Sequence, residues 1–346
     1  GAGWQRERRG PAEARCMHIE DRSPPALWAD VDVLKTNIAE MAQRLPGNRL
    51  RPHVKAHKTT ALARLQHDAG HHGFTCATSR EVMGLANAGL GADLLLANET
   101  VDASRLSAMA TSNARVTVAV DSVETIDAAA HAGIKECVID IRVGFRCGCE
   151  VEEAAELADR ARSSNIEVRG VMGYEGHAMG VVDAERRRDL VAAAMERLLE
   201  AHNLVGGELI TGGGTGTHAI NTWVNEIQAG SYVLMDTAYT QQTDQPFRQG
   251  LFLQSTVVSV AENFVVCDAG LKAQSMDHGN PSWSEGEVLF CSDEHTNLVP
   301  DKPLKVGDRV CLKPAHIDPT MSKHQVLHLV SQGEVVDQCD IDLRHW

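Results

Sequence analysis

The sequence predicts an α/β protein, a (β/α)8 TIM-type barrel followed by a C-terminal antiparallel β domain. Eight short runs rich in β-branched residues alternate with helical patterns between about residues 48 and 240. Eight such repeats are the number that this barrel requires. Beyond residue 245 the helical period fades into short alternating strands with turn signals between them. A doubly wound open sheet is the alternative for the first part. We therefore divide the chain into a lead-in (1–24), a barrel (25–244) and a β domain (245–346).

The barrel elements follow one another in a regular order. The predicted strands are "NRLRPHVK", "GFTCAT", "ADLLLAN", "RVTVAVD", "ECVIDIRV", "IEVRGVMGY", "GELITG" and "SYVLMD". Helical stretches lie between them, and their predicted N-caps are Thr59, Ser79, Ser122 and Asp183. Ahead of the first barrel strand, "PALWADVDVLKTNIAEMAQRL" predicts a strand leading into an amphipathic helix.

Composition excludes several classes of partner and site. The formal charge of −14 disfavours nucleic acids and anionic membranes, because both select a basic surface. Nine cysteines without a CxxC pair predict a reduced, cytoplasmic protein, and we interpret Cys147 and Cys149 as structural. The N-terminal stretch lacks the apolar core of a signal peptide, and no apolar run approaches the ~18 residues of a membrane span. We expect neither secretion nor membrane insertion.

A basic cluster, "RPHVKAHK", stands out in this acidic chain. Period-two alternation places Arg51, His53 and Lys55 on the interior face of the first predicted strand. Inward cations need a reason, because an unpaired buried charge is costly. Lys55 ends the strand, so its amine would stand at the barrel mouth, where a lysine desolvated among other cations can act as a Schiff-base nucleophile. We interpret Lys58 as a solvated loop residue or a hydrogen-bond neighbour of the site.

Glycines after the seventh predicted strand indicate an anion site. In "TGGGTGTHA" they allow backbone N–H groups to approach an anion closely, and barrel phosphate sites commonly follow strands seven and eight. The candidate phosphate-binding residues are Gly213, Gly214, Thr215, Gly230, Ser231 and Tyr232. A lysine at the end of strand one, combined with this cradle, predicts a pyridoxal 5'-phosphate (PLP) site. Neither Walker spacing nor a GxGxxG after a strand is present, which disfavours nucleotides.

Several sequence blocks occur in a familiar order. After "RPHVKAHK" come "GVMGYEGH", "TGGGTGT", "EIQAGSYVLMD", "CDAGLKAQS", "SDEH" and "PAHIDPT". From about residue 25 onward the chain resembles the alanine-racemase-like (fold type III) PLP enzymes, and within them the D-threonine aldolase and D-serine dehydratase family. The resemblance implies that Lys55 binds PLP covalently and that the glycine-rich block binds its phosphate. It also implies that His53, Tyr174 and Arg146 lie at the cofactor.

The block "PAHIDPT" carries the implied metal site. In this family a histidine and a second ligand two residues later hold a divalent ion, which here are His316 and Asp318. In a strand, side chains two residues apart point the same way. Dehydratase-type members resemble His-x-Cys, whereas the aldolase type resembles His-x-Asp. The oxygen ligand of Asp318 suits Mn²⁺, which we expect, or Mg²⁺.

The resemblance implies retro-aldol cleavage of D-β-hydroxy-α-amino acids, with D-threonine giving glycine and acetaldehyde. His57, His177 or a water on the metal would act as base. Dehydration of D-serine or 3-hydroxy-D-aspartate at the same site is the alternative. A racemase would take a second base from a C-terminal tyrosine, and no tyrosine follows Tyr239. A non-catalytic PLP carrier would lack the β domain. The resemblance also implies a homodimer.

Overall fold

Seven parallel strands form the sheet of the first part of the chain in the computed structural model, which describes residues 17–239 and 241–346. Each strand pairs with the next in chain order. Strands such as Val116–Val120, in which every residue is buried, are expected where helices cover one face and the other encloses an interior. The strands are Gly73–Cys76, Asp93–Leu96, Val116–Val120, Glu136–Asp140, Glu167–Gly173, Leu209–Gly212 and Glu226–Ile227.

Residues 50–53 close this sheet into a ring. Leu50 forms an isolated parallel bridge with Ile227 of the last strand, and His53 forms one with Thr75 of the first. This segment therefore occupies the position of the first predicted strand, and the predicted barrel class is confirmed. The regular strand expected there is wrong, because Pro52 has no N–H to contribute to a ladder.

The eighth predicted strand is misplaced. "SYVLMD" contains the short 3-10 helix Ser231–Val233, and the last regular strand lies earlier, at Glu226–Ile227. Tyr232, Val233 and Leu234 are fully buried, and a short apolar run shows no periodicity that separates a strand from a buried helical turn. Asp236 therefore does not end a strand.

Helices follow the strands and cover the outside of the ring. The predicted N-caps Thr59, Ser122 and Asp183 are confirmed. Ser79 is wrong as a cap, because Thr78 takes that place and forms a capping box with Glu81. The helices are Val31–Arg44, Thr60–Asp68, Ser79–Asn87, Ala103–Ala110, Val123–Ala132, Val151–Ser163, Gly176–Met179, Ala184–Val205 and Ile317–Ser322. Of the helices in the described ranges, none has the length and apolar character needed to cross a bilayer.

A second sheet, mostly antiparallel, contains the C-terminal strands. Ala26–Asp30, predicted as the strand before the barrel, belongs to this sheet, where it pairs with Leu251–Val260 and with Val326–Ser331. The division of the chain at residue 244 stays a prediction. The strands of this sheet are Met17–His18, Ala26–Asp30, Leu251–Val260, Val265–Cys267, Gly286–Cys291, Thr296–Pro300, Arg309–Leu312, Val326–Ser331 and Glu334–Asp340.

Charged side chains fill the barrel interior at the amino ends of the strands. Arg51 points inward as predicted and donates to Glu226 at 2.8 Å and to Asp93 at 3.0 Å. Arg169 also donates to Asp93, at 2.8 Å. Above this layer lies an apolar one, formed by Leu95, Ala119, Val138, Met172 and Leu209. Arg51 is therefore inward because it is paired, and its role is structural.

Asp93 joins both arginines of this layer, and its loss is expected to destabilise the fold. Burial alone would raise the pKa of Asp93, but Arg169 and Arg51 together outweigh it and lower the pKa to about 2. The stabilisation is complete above the unfolded value of 3.8 and is lost as the pH falls through about 2. We expect Asp93→Asn to lower the free energy of unfolding by about 3 kcal/mol at neutral pH, measured by urea denaturation.

The exposed Asp189 offers a matched control. Asp189→Asn should leave the free energy of unfolding nearly unchanged, while the deficit of Asp93→Asn should shrink as the pH is lowered from about 4 to about 2. Equal effects of the two substitutions, or a deficit that does not depend on pH, would contradict the assignment.

Candidate active site

A cavity of about 400 Å³ opens where the parallel strands end. Its size is ordinary for a small-ligand site. Residues that follow the strand ends by one or two positions contribute to it, including Ala77, Asn98, Tyr174 and Gly213. The remaining lining residues are His53, Lys55, Ala56, Ala97, Arg146, Met172, Gly214, Thr215, Gln228, Gly230, Ser231, Tyr239 and Asp318. The sequence placed the site at this end of the barrel, and most of the predicted residues meet there.

Lys55 projects its amine into the cavity from a short 3-10 helix, Val54–Ala56. The ring of His53 caps this turn, because its Nδ1 accepts the backbone N–H of Lys55 at 3.4 Å. The Lys55 Nζ lies 5.7 Å from the centre of the Tyr174 ring. Burial, followed by the charge of Lys55, holds the pKa of His53 well below its usual value. His53 is therefore neutral and carries its proton on Nε2.

Lys58 has a different environment. Its backbone adopts φ +56°, and its Nζ lies 3.2 Å from Oε1 of the buried Glu81. Only 12% of its side chain is exposed, and it does not line the cavity. Of the two interpretations offered for Lys58, the solvated loop residue is wrong, and its partner is a structural carboxylate.

Three glycines bring bare backbone to the cavity wall. Gly213 has φ +75°, a conformation that favours glycine. A Cβ on Gly214 would lie 2.9 Å from Sδ of Met179, and one on Gly230 would lie 2.5 Å from the carbonyl oxygen of His53. Side chains are excluded at these positions, so a ligand would meet peptide groups. Such a surface fits a phosphate group.

Arg146 reaches the cavity from the loop after Glu136–Asp140, the fourth strand of the parallel sheet. Its guanidinium donates to both carboxylate oxygens of Asp140, at 2.8 and 3.1 Å. Asp140 is fully buried, so this ion pair anchors the loop. The predicted position of Arg146 beside a cofactor is compatible with this geometry.

Two histidines predicted as bases lie outside the cavity. His57 is fully buried; its Nε2 is 2.9 Å from Oε1 of Gln66, and its Nδ1 accepts the N–H of Thr59 at 3.1 Å. Burial is the main reason why its pKa falls to about 4. The His177 ring packs against Phe145 with its Nδ1 buried. Both predictions are corrected, because neither imidazole faces the cavity.

Tyr232 is also corrected as a cavity residue. Its hydroxyl accepts from Nε2 of Gln66 at 2.8 Å within the core. Its backbone N–H donates to Oγ1 of Thr215 at 3.0 Å, so Tyr232 holds a cavity residue in place without reaching the cavity itself.

Tyr239 and Gln228 line the cavity but were not predicted. Tyr239 forms a side-chain hydrogen bond with Ser231 and lies near Tyr174 and Asp318. Burial, followed by the effects of Tyr174 and Asp318, raises the pKa of Tyr239 well above its usual value, although the hydrogen bond with Ser231 opposes this rise. Gln228 directly follows the last regular strand. The sequence predicted that strand at residues 231–236, so Gln228 was not recognised as a residue at a strand end. A correct strand assignment was the signal that could have found it.

The predicted metal ligands lie on a helix rather than a strand. His316 is the N-cap of Ile317–Ser322, and Asp318 lies in its first turn; Pro319 is tolerated there because first-turn N–H groups have no helical partner. The Nε2 of His316 is 4.0 Å from Oδ1 of Asp318. This oxygen is buried and has no hydrogen-bond partner in the described part of the chain. An imidazole nitrogen and a carboxylate oxygen placed this close together could both contribute to holding a divalent ion.

Two further residues surround His316. Asp277 Oδ2 lies 2.7 Å from its Nδ1, and the His278 ring stacks on it at 3.9 Å with an angle of 6°. Ligand atoms of these three residues lie within 4.8 Å of one another, so they form a second arrangement that could hold an ion. Asp277 and His278 follow "CDAGLKAQSM" and were not among the residues predicted from the sequence.

Comparison with known proteins identifies the family. A family profile described as "Alanine racemase, N-terminal domain" matches residues 29–238. The chain belongs to this family. The C-terminal part of this alanine-racemase-like protein, residues 250–330, matches a profile described as a serine dehydratase domain. The resemblance drawn from the sequence blocks is confirmed.

Relatives of the alanine-racemase-like protein match along most of its length. It is 34% identical to the 3-hydroxy-D-aspartate aldolase of Paracoccus denitrificans (strain Pd 1222), over 92% of this chain and 91% of that one. It is 30% identical to the D-threonine aldolase of Arthrobacter sp, over 92% of each chain. The crystal structure of D-threonine aldolase from Filomicrobium marinum superposes with a TM-score of 0.90 at 29% identity, covering 97% of this chain and 99% of the other.

Proposed function

We propose that the protein is a carbon–carbon lyase that cleaves D-β-hydroxy-α-amino acids with PLP and a divalent metal, converting D-threonine to glycine and acetaldehyde. One observation carries the proposal: Lys55 and Asp318 line the same cavity, and His316 lies 4.0 Å from Asp318. A covalent anchor for a cofactor and a candidate metal site therefore face one substrate. The aldolases among the relatives support this reading.

The cavity residues fit PLP. Lys55 would hold it covalently, the backbone at Gly213, Gly214 and Gly230 would receive its phosphate, and Arg146 would lie beside it. When bound, PLP supplies an electron sink for the bond that breaks at Cα.

The protein's own groups would orient the substrate. The pKa of Tyr174 is raised, mainly by burial, and so is that of Tyr239. Both therefore remain neutral phenols that can donate hydrogen bonds. His316 and Asp318 would hold Mn²⁺, or Mg²⁺ as the next choice, and such an ion acts as a Lewis acid toward the β-hydroxyl.

Dehydration at the same site is the second candidate. The serine dehydratase profile over residues 250–330 supports it, and it would convert D-serine or 3-hydroxy-D-aspartate with the same cofactor and metal. The oxygen ligand of Asp318 favours the aldolase, by the resemblance described above. Racemisation and a non-catalytic role are less favoured, because no tyrosine follows Tyr239 and the chain includes the second sheet.

Product analysis separates the candidates. Protein loaded with PLP and Mn²⁺ is expected to convert D-threonine into equal amounts of glycine and acetaldehyde, measured by chromatography and by an aldehyde assay. L-threonine is the matched control and should remain intact. Release of 2-oxobutyrate and ammonia without glycine would contradict the aldolase and support the dehydratase.

We also propose that the protein is a cytoplasmic homodimer that binds neither nucleic acid nor membranes. The free state of Cys76, Cys137, Cys147, Cys149, Cys267, Cys291, Cys311 and Cys339 supports a reducing compartment. Light scattering should give twice the chain mass of 37.5 kDa; a monomer at working concentration would contradict the dimer.

A further inference from the structure

A closed ring of hydrogen bonds surrounds His316. Its Nδ1 bonds to Asp277 Oδ2 at 2.7 Å, and Asp277 Oδ1 accepts the hydroxyl of Ser275 at 2.5 Å. The Ser275 backbone N–H donates to Oγ1 of Thr320 at 3.0 Å, and that hydroxyl donates to the carbonyl oxygen of His316 at 2.7 Å. We call these four residues, Ser275, Asp277, His316 and Thr320, the hydrogen-bonded loop. It ties segment 275–277 to the helix that carries the candidate metal ligands.

The hydrogen-bonded loop determines which nitrogen of His316 is free to bind a metal ion. Because Asp277 accepts from Nδ1, the neutral imidazole keeps its proton there and leaves the Nε2 lone pair open. The same Nε2 is the atom that faces Asp318. Stacking of the His278 ring on the His316 imidazole further restricts rotation of that imidazole.

The hydrogen bonds of the Asp277 and Asp318 carboxylates distinguish a metal ligand from a supporting group. Both oxygens of Asp277 have protein partners, Ser275 and His316. Asp318 Oδ1, in contrast, is buried without a partner among the described residues. An ion at Asp277 would have to compete with two existing hydrogen bonds, whereas one at Asp318 would satisfy a vacant acceptor.

We propose that Asp277 is a positioning residue, which fixes the tautomer and orientation of His316 so that Nε2 and Asp318 bind the divalent ion. The inference rests on the proposed function, because the ion is the one that the reaction would use. Asp277 would act on metal affinity through His316 and would contact neither ion nor substrate.

The test is Mn²⁺ affinity of the full-length, PLP-loaded protein, measured by the electron paramagnetic resonance signal of free Mn²⁺. Asp277→Ala should weaken binding about 10- to 100-fold. Asp277→Asn should weaken it less, because the amide oxygen can still accept from Nδ1–H. Asp318→Ala should abolish binding, while His278→Ala should retain most of it. Asp301 is an exposed carboxylate that directly follows the strand Thr296–Pro300 of the second sheet, so Asp301→Asn is the matched control.

Turnover of D-threonine is the second readout of the test. Turnover of Asp277→Ala at saturating Mn²⁺ should recover toward the wild-type rate, which a misfolded variant would not show. Wild-type affinity in Asp277→Ala would overturn the inference. So would loss of binding in Asp277→Ala and His278→Ala together with retention in Asp318→Ala, which would place the ion at the second arrangement, formed by Asp277, His278 and His316. If the wild type and the variants show the expected order of Mn²⁺ affinities but the wild type leaves D-threonine intact, the proposed function is overturned and the inference is supported.

Discussion

Lys55→Ala is expected to abolish the visible absorption of bound PLP and to lower kcat for D-threonine cleavage on the order of 10³-fold or more, as for other residues that bond covalently in catalysis. The reason is geometric: Lys55 lines the cavity, where its amine lies 5.7 Å from the Tyr174 ring centre. The absorption spectrum and steady-state kinetics of purified protein measure the two effects independently.

Lys58→Ala is the matched control, because it removes an amine three residues away. Lys58 pairs with buried Glu81 at 3.2 Å and does not line the cavity. This variant should retain the PLP absorption and lose stability, since Glu81 is left without its cation. Loss of the absorption in Lys58→Ala with retention in Lys55→Ala would show that the wrong lysine has been assigned.

The inward direction of Arg51, His53 and Lys55 was predictable although no regular strand forms there. Alternation depends on an extended backbone, and His53 has φ −88° and ψ 107°, so side chains alternate even where Pro52 interrupts the ladder. The function of each side chain was only partly predictable. Arg51 proved to be paired with Glu226 from the far end of the sheet, which no local pattern indicates.

The failed predictions share a physical cause. His57 stands beside the two lysines in sequence, but its ring nitrogens are taken by Gln66 and Thr59, and a sequence pattern does not show which hydrogen bonds a side chain makes. Asp277 meets His316 across a separation of 39 residues. Their proximity follows from tertiary packing, so the two-residue ligand motif was found and its support was missed.

The helical position of His316 and Asp318 shows how a correct pair can follow from a wrong geometry. The pair was predicted on the assumption of a strand, in which side chains two residues apart share a face. An N-cap residue has an extended backbone, and His316 has φ −139° and ψ 117°, so its side chain can still approach that of the second helical residue. The 4.0 Å separation of Nε2 and Oδ1 results from this cap geometry.

Asp318→Ala is expected to eliminate metal-dependent turnover while leaving the PLP absorption intact. The buried Oδ1 of Asp318 has no partner in the described chain, and removing it leaves His316 as a single ligand, too few to retain an ion. Loss of turnover on the order of 10²-fold or more is the expected scale for losing one essential stabilising group. Chelation of the wild-type protein should reproduce this loss, and Mn²⁺ should reverse it; Asp301→Asn should behave as wild type.

Asp318→Cys tests the chemistry of the donor. A thiolate is a softer ligand than a carboxylate and favours Zn²⁺ over Mn²⁺, so the variant should bind Zn²⁺ more tightly and Mn²⁺ more weakly than the wild type, as measured by competition titration. Because the side chains are similar in size, the cavity should keep its shape and the PLP absorption should persist. Unchanged preference between the two ions in Asp318→Cys would mean that residue 318 does not contact the metal. In that case the outer arrangement of Asp277, His278 and His316 would be the site to examine.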